Sequence, residues 1–175
     1  PDASLCSDCR REMTDPEDRR HHYAFTTCTN CGPRFSIVRW LPYDRPATAM
    51  GCFPLCEPCL AEYTDPSDRR FHAEPVCCPD CGPRLSLLDA ERQILGNDDD
   101  AVEGARRALV SGAVLAIKGI GGFQLACRAD RTPPVATLRA RKKRPTKPFA
   151  VMVRDLSEAE GLVHLTDPDR ELLSS

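Results

Sequence analysis

Apolar positions follow two regimes along this chain. Up to about residue 88 large apolar residues are sparse, and periodicity is confined to short stretches. Phe35-Ser36-Ile37-Val38-Arg39-Trp40 alternates as a strand would, and Leu41-Pro42-Tyr43-Asp44-Arg45-Pro46 breaks it. The Thr14-Asp15-Pro16 and Thr64-Asp65-Pro66 segments read as capped helical turns, with Pro16 and Pro66 at the first helical position. A polar joint from Asp89 to Asp100 follows. From residue 98 the texture becomes α/β. Asp98, Asp99 and Asp100 offer helix caps, and Val102, Ala105 and Leu109 mark a helical face that ends at Gly112. Ala113 to Ile117 is a continuous apolar run that predicts a buried strand, and Phe123 to Cys127 predicts another. A helix starts at Pro134, a strand covers Pro148 to Val153, Ser157-x-x-Glu160 is a capping box, and Asp167-Pro168 opens a last helix. The expected class is α+β: a small module over residues 1–88, then the leading part of an α/β domain over 98–175.

The first module is one unit written twice. Cys6-x-x-Cys9 and Cys28-x-x-Cys31 recur fifty positions later as Cys56-x-x-Cys59 and Cys78-x-x-Cys81, with eighteen residues between the pairs in each copy. Thr14-Asp15-Pro16-x-Asp18-Arg19-Arg20-x-His22 returns as Thr64-Asp65-Pro66-x-Asp68-Arg69-Arg70-x-His72. Cys31-Gly32-Pro33-Arg34-x-Ser36 returns as Cys81-Gly82-Pro83-Arg84-x-Ser86.

Two C-x2-C pairs at this separation are the spacing of a four-thiolate zinc site. Cysteines three apart on a tight turn can reach one ion at about 2.3 Å, and a second turn completes the tetrahedron. The expectation is two structural zinc ions on Cys6, Cys9, Cys28 and Cys31, and on Cys56, Cys59, Cys78 and Cys81. A crossed arrangement, outer pairs on one ion and inner pairs on the other, has the same signature. Gly32 and Gly82 follow the last ligand, where a turn often needs positive φ. Asp18 and Asp68 are expected to pair with the arginines beside them. His22 and His72 read as ordinary polar residues, since four thiolates are already available per copy.

Of eleven cysteines, Cys52, Cys77 and Cys127 stand outside the pairs. Cys77 has Thr27 at the equivalent position, and Cys52 and Cys127 are expected to be buried. Spare thiols beside thiolate sites point to a reducing, cytoplasmic setting rather than a disulfide framework. No leader is read in the sequence, and no apolar run is long enough to span a membrane, so no membrane partner is expected. The net charge of −2 and pI near 6.1 give no global basic character.

Two features beyond residue 98 carry candidate chemistry. Gly119-x-Gly121-Gly122 follows a strand and could cradle phosphate, but Gln124 stands where a dinucleotide fingerprint needs its third glycine. A tight hairpin explains the glycines equally well. Arg139, Arg141, Lys142, Lys143, Arg144 and Lys147 form a cationic run without an acid. Such runs are usually solvated helix faces. Here Lys142, Arg144 and Lys147 sit at a helix end beside an expected strand, a good place to neutralise a triphosphate.

The eight cysteines, Ala116-Ile117-Lys118-Gly119-Ile120-Gly121-Gly122-Phe123 and Arg141-Lys142-Lys143-Arg144-Pro145-x-Lys147-Pro148-Phe149-Ala150-Val151-Met152 together resemble the HypF family. Members are carbamoyltransferases that mature nickel–iron hydrogenases. The resemblance implies a zinc-finger-like module followed by part of a YrdC-like nucleotide-binding domain. It implies acylphosphatase-like and carbamoyl-transferring domains elsewhere in the full-length protein, this fragment alone being inactive. Zinc, ATP and carbamoyl phosphate are the implied cofactor and substrates. Carbamoyl-adenylate is the implied intermediate, and the C-terminal cysteine of HypE the implied acceptor. The family's Lys-x-Arg falls on Lys142 and Arg144, with Lys147 and Lys118 as further nucleotide-binding candidates. The family pattern has His at Gln124 and Asp at Arg128, so the chain departs from it there. The alternative is a zinc-ribbon nucleic-acid-binding module attached to a YrdC-like tRNA-modification domain, since paired four-cysteine zinc units often bind nucleic acid and YrdC-like relatives act in tRNA modification; double-stranded RNA binding is a further feature of related domains. Against it, the zinc half lacks a basic and aromatic stripe.

Overall fold

The computed structural model describes residues 2–119 and 122–174. Its elements are short, and each copy of the repeat contributes one helix: α1, Ser7–Thr14, and α2, Glu57–Thr64. Cys6 and Cys56 are their N-cap residues, held extended at φ −74° and −70°. The helices therefore precede the Thr-Asp-Pro segments instead of starting at them. Asp15 and Asp65 are the C-caps, and the following prolines stop the helices because they lack the N–H that another turn needs. The Asp15 and Asp65 carboxylates then accept from the amides of Glu17 (3.0 Å) and Ser67 (2.9 Å), which fixes the turn.

The stretch between the copies is not a strand. Phe35–Ile37, Arg45–Ala47 and Ala49–Cys52 are short 3₁₀ turns, joined by a bridge between Val38 and Thr48. The amides of Arg39 and Trp40 both bond to the Ala47 carbonyl, at 2.9 and 3.3 Å, so the alternation serves a local loop. Of Phe35 to Trp40, Ile37 alone is buried and packs with Tyr23, Met50 and Cys77, while Phe35, Trp40 and Leu41 stay exposed. Arg45 staples the loop: its guanidinium donates to the carbonyls of Glu74, Val76 and Phe53, at 2.6 to 2.8 Å. Cys52, expected inside, is exposed, and Cys127 is half-buried.

After the second copy, β1 (Ser86–Leu88) pairs antiparallel with β2 (Ile94–Asn97) across a turn at 89–93, with a bulge between Leu87 and Leu88. Helix α3, Asp98–Ser111, packs on this hairpin. Its inward face is Ala101, Gly104, Ala105, Ala108 and Leu109; Val102 points outward. Gly104 is there for space, because a Cβ would lie 2.6 Å from Leu87 Cδ2. Gly112 closes the helix at φ +95°, the left-handed cap that glycine takes without a Cβ penalty. β3 (Leu115–Gly119) and β4 (Gly122–Ala126) form an antiparallel hairpin from Leu115 opposite Ala126 to Gly119 opposite Gly122. The expected strands exist here, but not as buried ones: Ile117 and Phe123 are 50% and 71% exposed. Among the described residues this sheet stops at two strands.

The chain folds as two compact units, residues 1–126 and 127–175. The second unit holds α4 (Thr132–Lys142), α5 (Leu156–Glu160) and α6 (Asp167–Ser174). Pro133 and Pro134 stand in the first turn of α4, where a missing N–H costs nothing. Pro148 to Val153 carries no strand among the described residues. Strand pairing needs a hydrogen-bonded neighbour, and the described part of this unit offers none. The N-cap of α5 is Asp155, whose carboxylate accepts from the Glu158 amide at 2.9 Å; Ser157 lies inside the helix.

Candidate metal centres

Each copy brings its cysteines together in the same way. The first pair sits on the first turn of α1 or α2, the second on a knuckle. In the first copy Cys28 faces Cys31 through a backbone bridge. In the second, the amides of Cys81 and Gly82 both bond to the Cys78 carbonyl, at 3.2 and 2.9 Å. The sulfurs of Cys6, Cys9, Cys28 and Cys31 lie within 4.8 Å of one another, as do those of Cys56, Cys59, Cys78 and Cys81. The groups form within copies, not across them.

The sulfur–sulfur edges are 3.7 Å for Cys6–Cys28, 3.8 Å for Cys28–Cys31, 3.6 Å for Cys56–Cys78 and 3.8 Å for Cys78–Cys81. A zinc tetrahedron with Zn–S of about 2.3 Å has edges of about 3.8 Å. Each donor set therefore fits one zinc ion. His22 and His72 belong to neither group and are both exposed.

The thiols differ in how readily they give up protons. Burial drives Cys9 and Cys59 upward, against the pull of nearby arginines. Burial also opposes ionisation at Cys6 and Cys81, but there backbone amides and neighbouring sulfurs outweigh it and hold each near 7. Four such sulfurs become thiolates together only when a cation occupies their centre.

What surrounds the sulfurs differs from the expectation drawn from the sequence. Arg19 and Arg20 do not pair with Asp18, whose carboxylate instead accepts the Arg20 amide at 2.7 Å. Both arginines cross to the second copy and meet Glu62, at 2.6 and 2.5 Å. Arg69 meets Glu12 of the first copy at 2.5 Å, and Arg70 meets the same carboxylate. The buried guanidiniums also bond the opposite backbone: Arg20 Nε donates to the Cys77 carbonyl at 2.9 Å and Arg70 Nε to the Thr27 carbonyl at 3.0 Å. Arg20 and Arg70 are 2% and 3% exposed, so the module's interior is made of ion pairs and sulfur more than aliphatic side chains. The available signal was Glu12 and Glu62, which share the fifty-residue spacing of the arginines.

The glycines after the last ligands are both needed for space: a Cβ would sit 2.0 Å from Thr27 Oγ1 at Gly32 and 2.1 Å from Tyr23 Oη at Gly82. Gly32 also takes φ +91°, which a side chain would strain. Tyr23 Oη donates to the Pro83 carbonyl at 3.0 Å and contacts Cys77, a buried thiol outside both sulfur groups.

The nucleotide-binding candidates are placed as follows. Lys118 lies on β3, with its ammonium 5.4 Å from the Phe123 ring centre. Gly121 lies outside the described residues, so the phosphate-cradle reading of its loop has no geometry to stand on. Lys142 ends α4 and Lys147 lies beyond it, both exposed. Arg144 is turned into its own loop, donating to the Pro148 carbonyl at 3.0 Å and stacking 5.3 Å from the Phe149 ring centre. Arg139 covers the same ring at 4.8 Å and donates to the Lys147 carbonyl at 3.1 Å. Gln124 is an exposed residue of β4 opposite Ile117, and Arg128 pairs with Asp130 at 2.7 Å through Nε.

Comparison with known proteins agrees with this anatomy. The HypF finger family matches residues 5–38 and again 55–88, once per sulfur group. The Sua5/YciO/YrdC family, described as telomere recombination, matches residues 107–175. Carbamoyltransferase HypF2 of Cupriavidus necator is 55% identical over 158 residues, 90% of this chain and 20% of its own length. Carbamoyltransferase HypF of Synechocystis is 51% identical over 175 residues, 100% of this chain and 23% of its own length. The chain carries a HypF finger pair and part of a Sua5/YciO/YrdC-type domain. It superposes on a crystal structure of full-length HypF in a phosphate- and nucleotide-bound form, with TM-score 0.90 and 50% identity. The crystal structure of T. kodakarensis HypF gives TM-score 0.94 at 44% identity. Both structures cover 100% of this chain, which in turn covers 23% of each. The chain thus spans about a fifth of the length of its HypF relatives, and its α+β fold of two four-cysteine modules followed by a YrdC-like region is theirs.

Proposed function

We propose that the chain is the finger pair and the leading part of the adenylating domain of a cytoplasmic carbamoyltransferase. Residues 1–88 are the structural module with two zinc ions, and 98–175 begin the YrdC-like domain. The observation that carries this reading is identity of 51 to 55% to HypF carbamoyltransferases across 90 to 100% of the chain, both sulfur groups included. The whole protein would hydrolyse carbamoyl phosphate in its acylphosphatase-like domain and join the carbamate to ATP. A carbamate oxygen attacks the α-phosphorus and pyrophosphate leaves; the carbamoyl-transferring domain then passes the carbamoyl group to the C-terminal cysteine of HypE, with AMP leaving and the thiol losing its proton.

Negative charge grows on the departing pyrophosphate, and fixed cations are the expected means of stabilising it. Lys142 and Lys147 are exposed and extend from the end of α4, as that role requires; Lys118 is exposed on β3. Arg144, packed against Phe149 and bonded to Pro148, would shape the loop that presents them. A nucleic-acid-binding role for the finger pair is disfavoured, because Arg19, Arg20, Arg69 and Arg70 are engaged by Glu12 and Glu62.

The test is carbamate-dependent ATP–pyrophosphate exchange in the full-length protein. Lys142→Ala should lower exchange on the order of 100-fold, the scale of losing one transition-state donor. Arg144→Ala should lower it as well, through the loop. Exchange at the unsubstituted rate in both variants would sink the assignment.

A further inference from the structure

Cys9 and Cys59 are buried ligands that arginines of the opposite copy reach. Both are 0% exposed, so water cannot solvate their charge. Four thiolates around a dication carry a net double negative charge, and a buried thiolate must share it with hydrogen-bond donors. Those donors come from the other copy. Arg69 Nη1 donates to Cys9 Sγ at 3.2 Å. Arg19 donates to Cys59 Sγ through Nη1 and Nη2, each at 3.3 Å, and Arg20 Nη2 reaches it at 3.5 Å. Glu12 and Glu62, three residues after the thiolates in question, hold the incoming guanidiniums.

We propose that each zinc centre is completed by the opposite copy: Arg69 is a positioning residue for the centre of Cys6, Cys9, Cys28 and Cys31, and Arg19 for that of Cys56, Cys59, Cys78 and Cys81. The two fingers are then one reciprocal unit, and metal retention in either depends on a residue some sixty or forty positions away, as the separations of the Arg69–Cys9 and Arg19–Cys59 pairs show. An arginine that only paired with a carboxylate would support its own surroundings equally. One that lends charge to a distant ligand set affects that set first.

The inference takes the zinc reading of the sulfur groups as given, and zinc content measured on the same samples separates a failure of that reading from a failure of this one. The experiment is pulsed cysteine alkylation of the zinc-loaded protein under limiting chelator, with labelled peptides assigned by mass spectrometry. Arg69→Gln should speed labelling of Cys6, Cys9, Cys28 and Cys31 about tenfold, the usual scale for losing a partner of a metal ligand. Cys56, Cys59, Cys78 and Cys81 should keep nearly their original rate. Arg19→Gln should reverse the pattern with a smaller change, because Arg20 also reaches Cys59. Arg69→Lys, which keeps the charge and is the arbiter if Arg69→Gln does not fold, should shift the same four cysteines less. Faster labelling in the substituted copy, equal acceleration in both copies, or no change would each overturn the proposal.

Discussion

Arg20 and Glu62 show how much of the finger pair rests on single residues. The guanidinium is 2% exposed and bonded to the carboxylate through two nitrogens, at 3.0 and 2.5 Å. Burial alone would raise the Glu62 pKa, but the hydrogen bonds from Arg20 and Arg19 prevail and hold it at about 2. A depressed carboxylate contributes stability that is whole above its ordinary value of 4.5 and disappears as the pH falls through about 2. Glu62→Gln should therefore cost on the order of 3 kcal/mol at neutral pH by leaving a buried charge unpaired. In denaturant unfolding of the zinc-loaded protein, its deficit against the unsubstituted protein should be flat between about pH 6 and 8, where the carboxylate is ionised and the zinc ligands keep their metal. A deficit that grows on acidification across that window would refute the pairing. The cysteines were legible in the sequence because C-x2-C is a local geometry. The arginines were not, because adjacent Asp18 and Asp68 offered a nearer partner than the true one, some forty to sixty residues off.

Among the elements, those set by local chemistry were read best. Gly112 ends α3 where the sequence places it, and α4 begins at Thr132, two residues before the expected Pro134. The errors fall where two local readings compete. Phe35 to Trp40 alternates, but neighbouring carbonyls draw it into 3₁₀ turns. Ser157-x-x-Glu160 has the form of a capping box, yet Asp155 caps α5 two residues earlier. Asp155→Ala should raise amide exchange at Ala159 and Gly161 by removing a cap worth about 1 kcal/mol, while Ser157→Ala should leave it unchanged. The reverse order of effects would restore the capping box. Burial of β3 and β4 was misread for a different reason: an apolar run specifies what a strand could cover, not whether a partner is there to cover it.

For the whole molecule, the duplication carried the fold, since two copies in register at fifty residues imply two equivalent centres. What lay beyond reach was their reciprocity, which needs the copies folded against each other. A module whose interior joins cysteines and buried arginines to few large aliphatic side chains, Ile37, Met50 and Val76, has little aliphatic surface to drive collapse, so metal binding and folding should be one event. The most direct test is zinc stoichiometry with thiol titration of the native protein, before and after chelation. Two zinc ions per chain are predicted, with exposed Cys52 and half-buried Cys127 reacting first and the eight cysteines of the sulfur groups following only when the metal is removed. Absence of zinc, with those eight cysteines found oxidised or freely reactive in the native protein, would contradict the account.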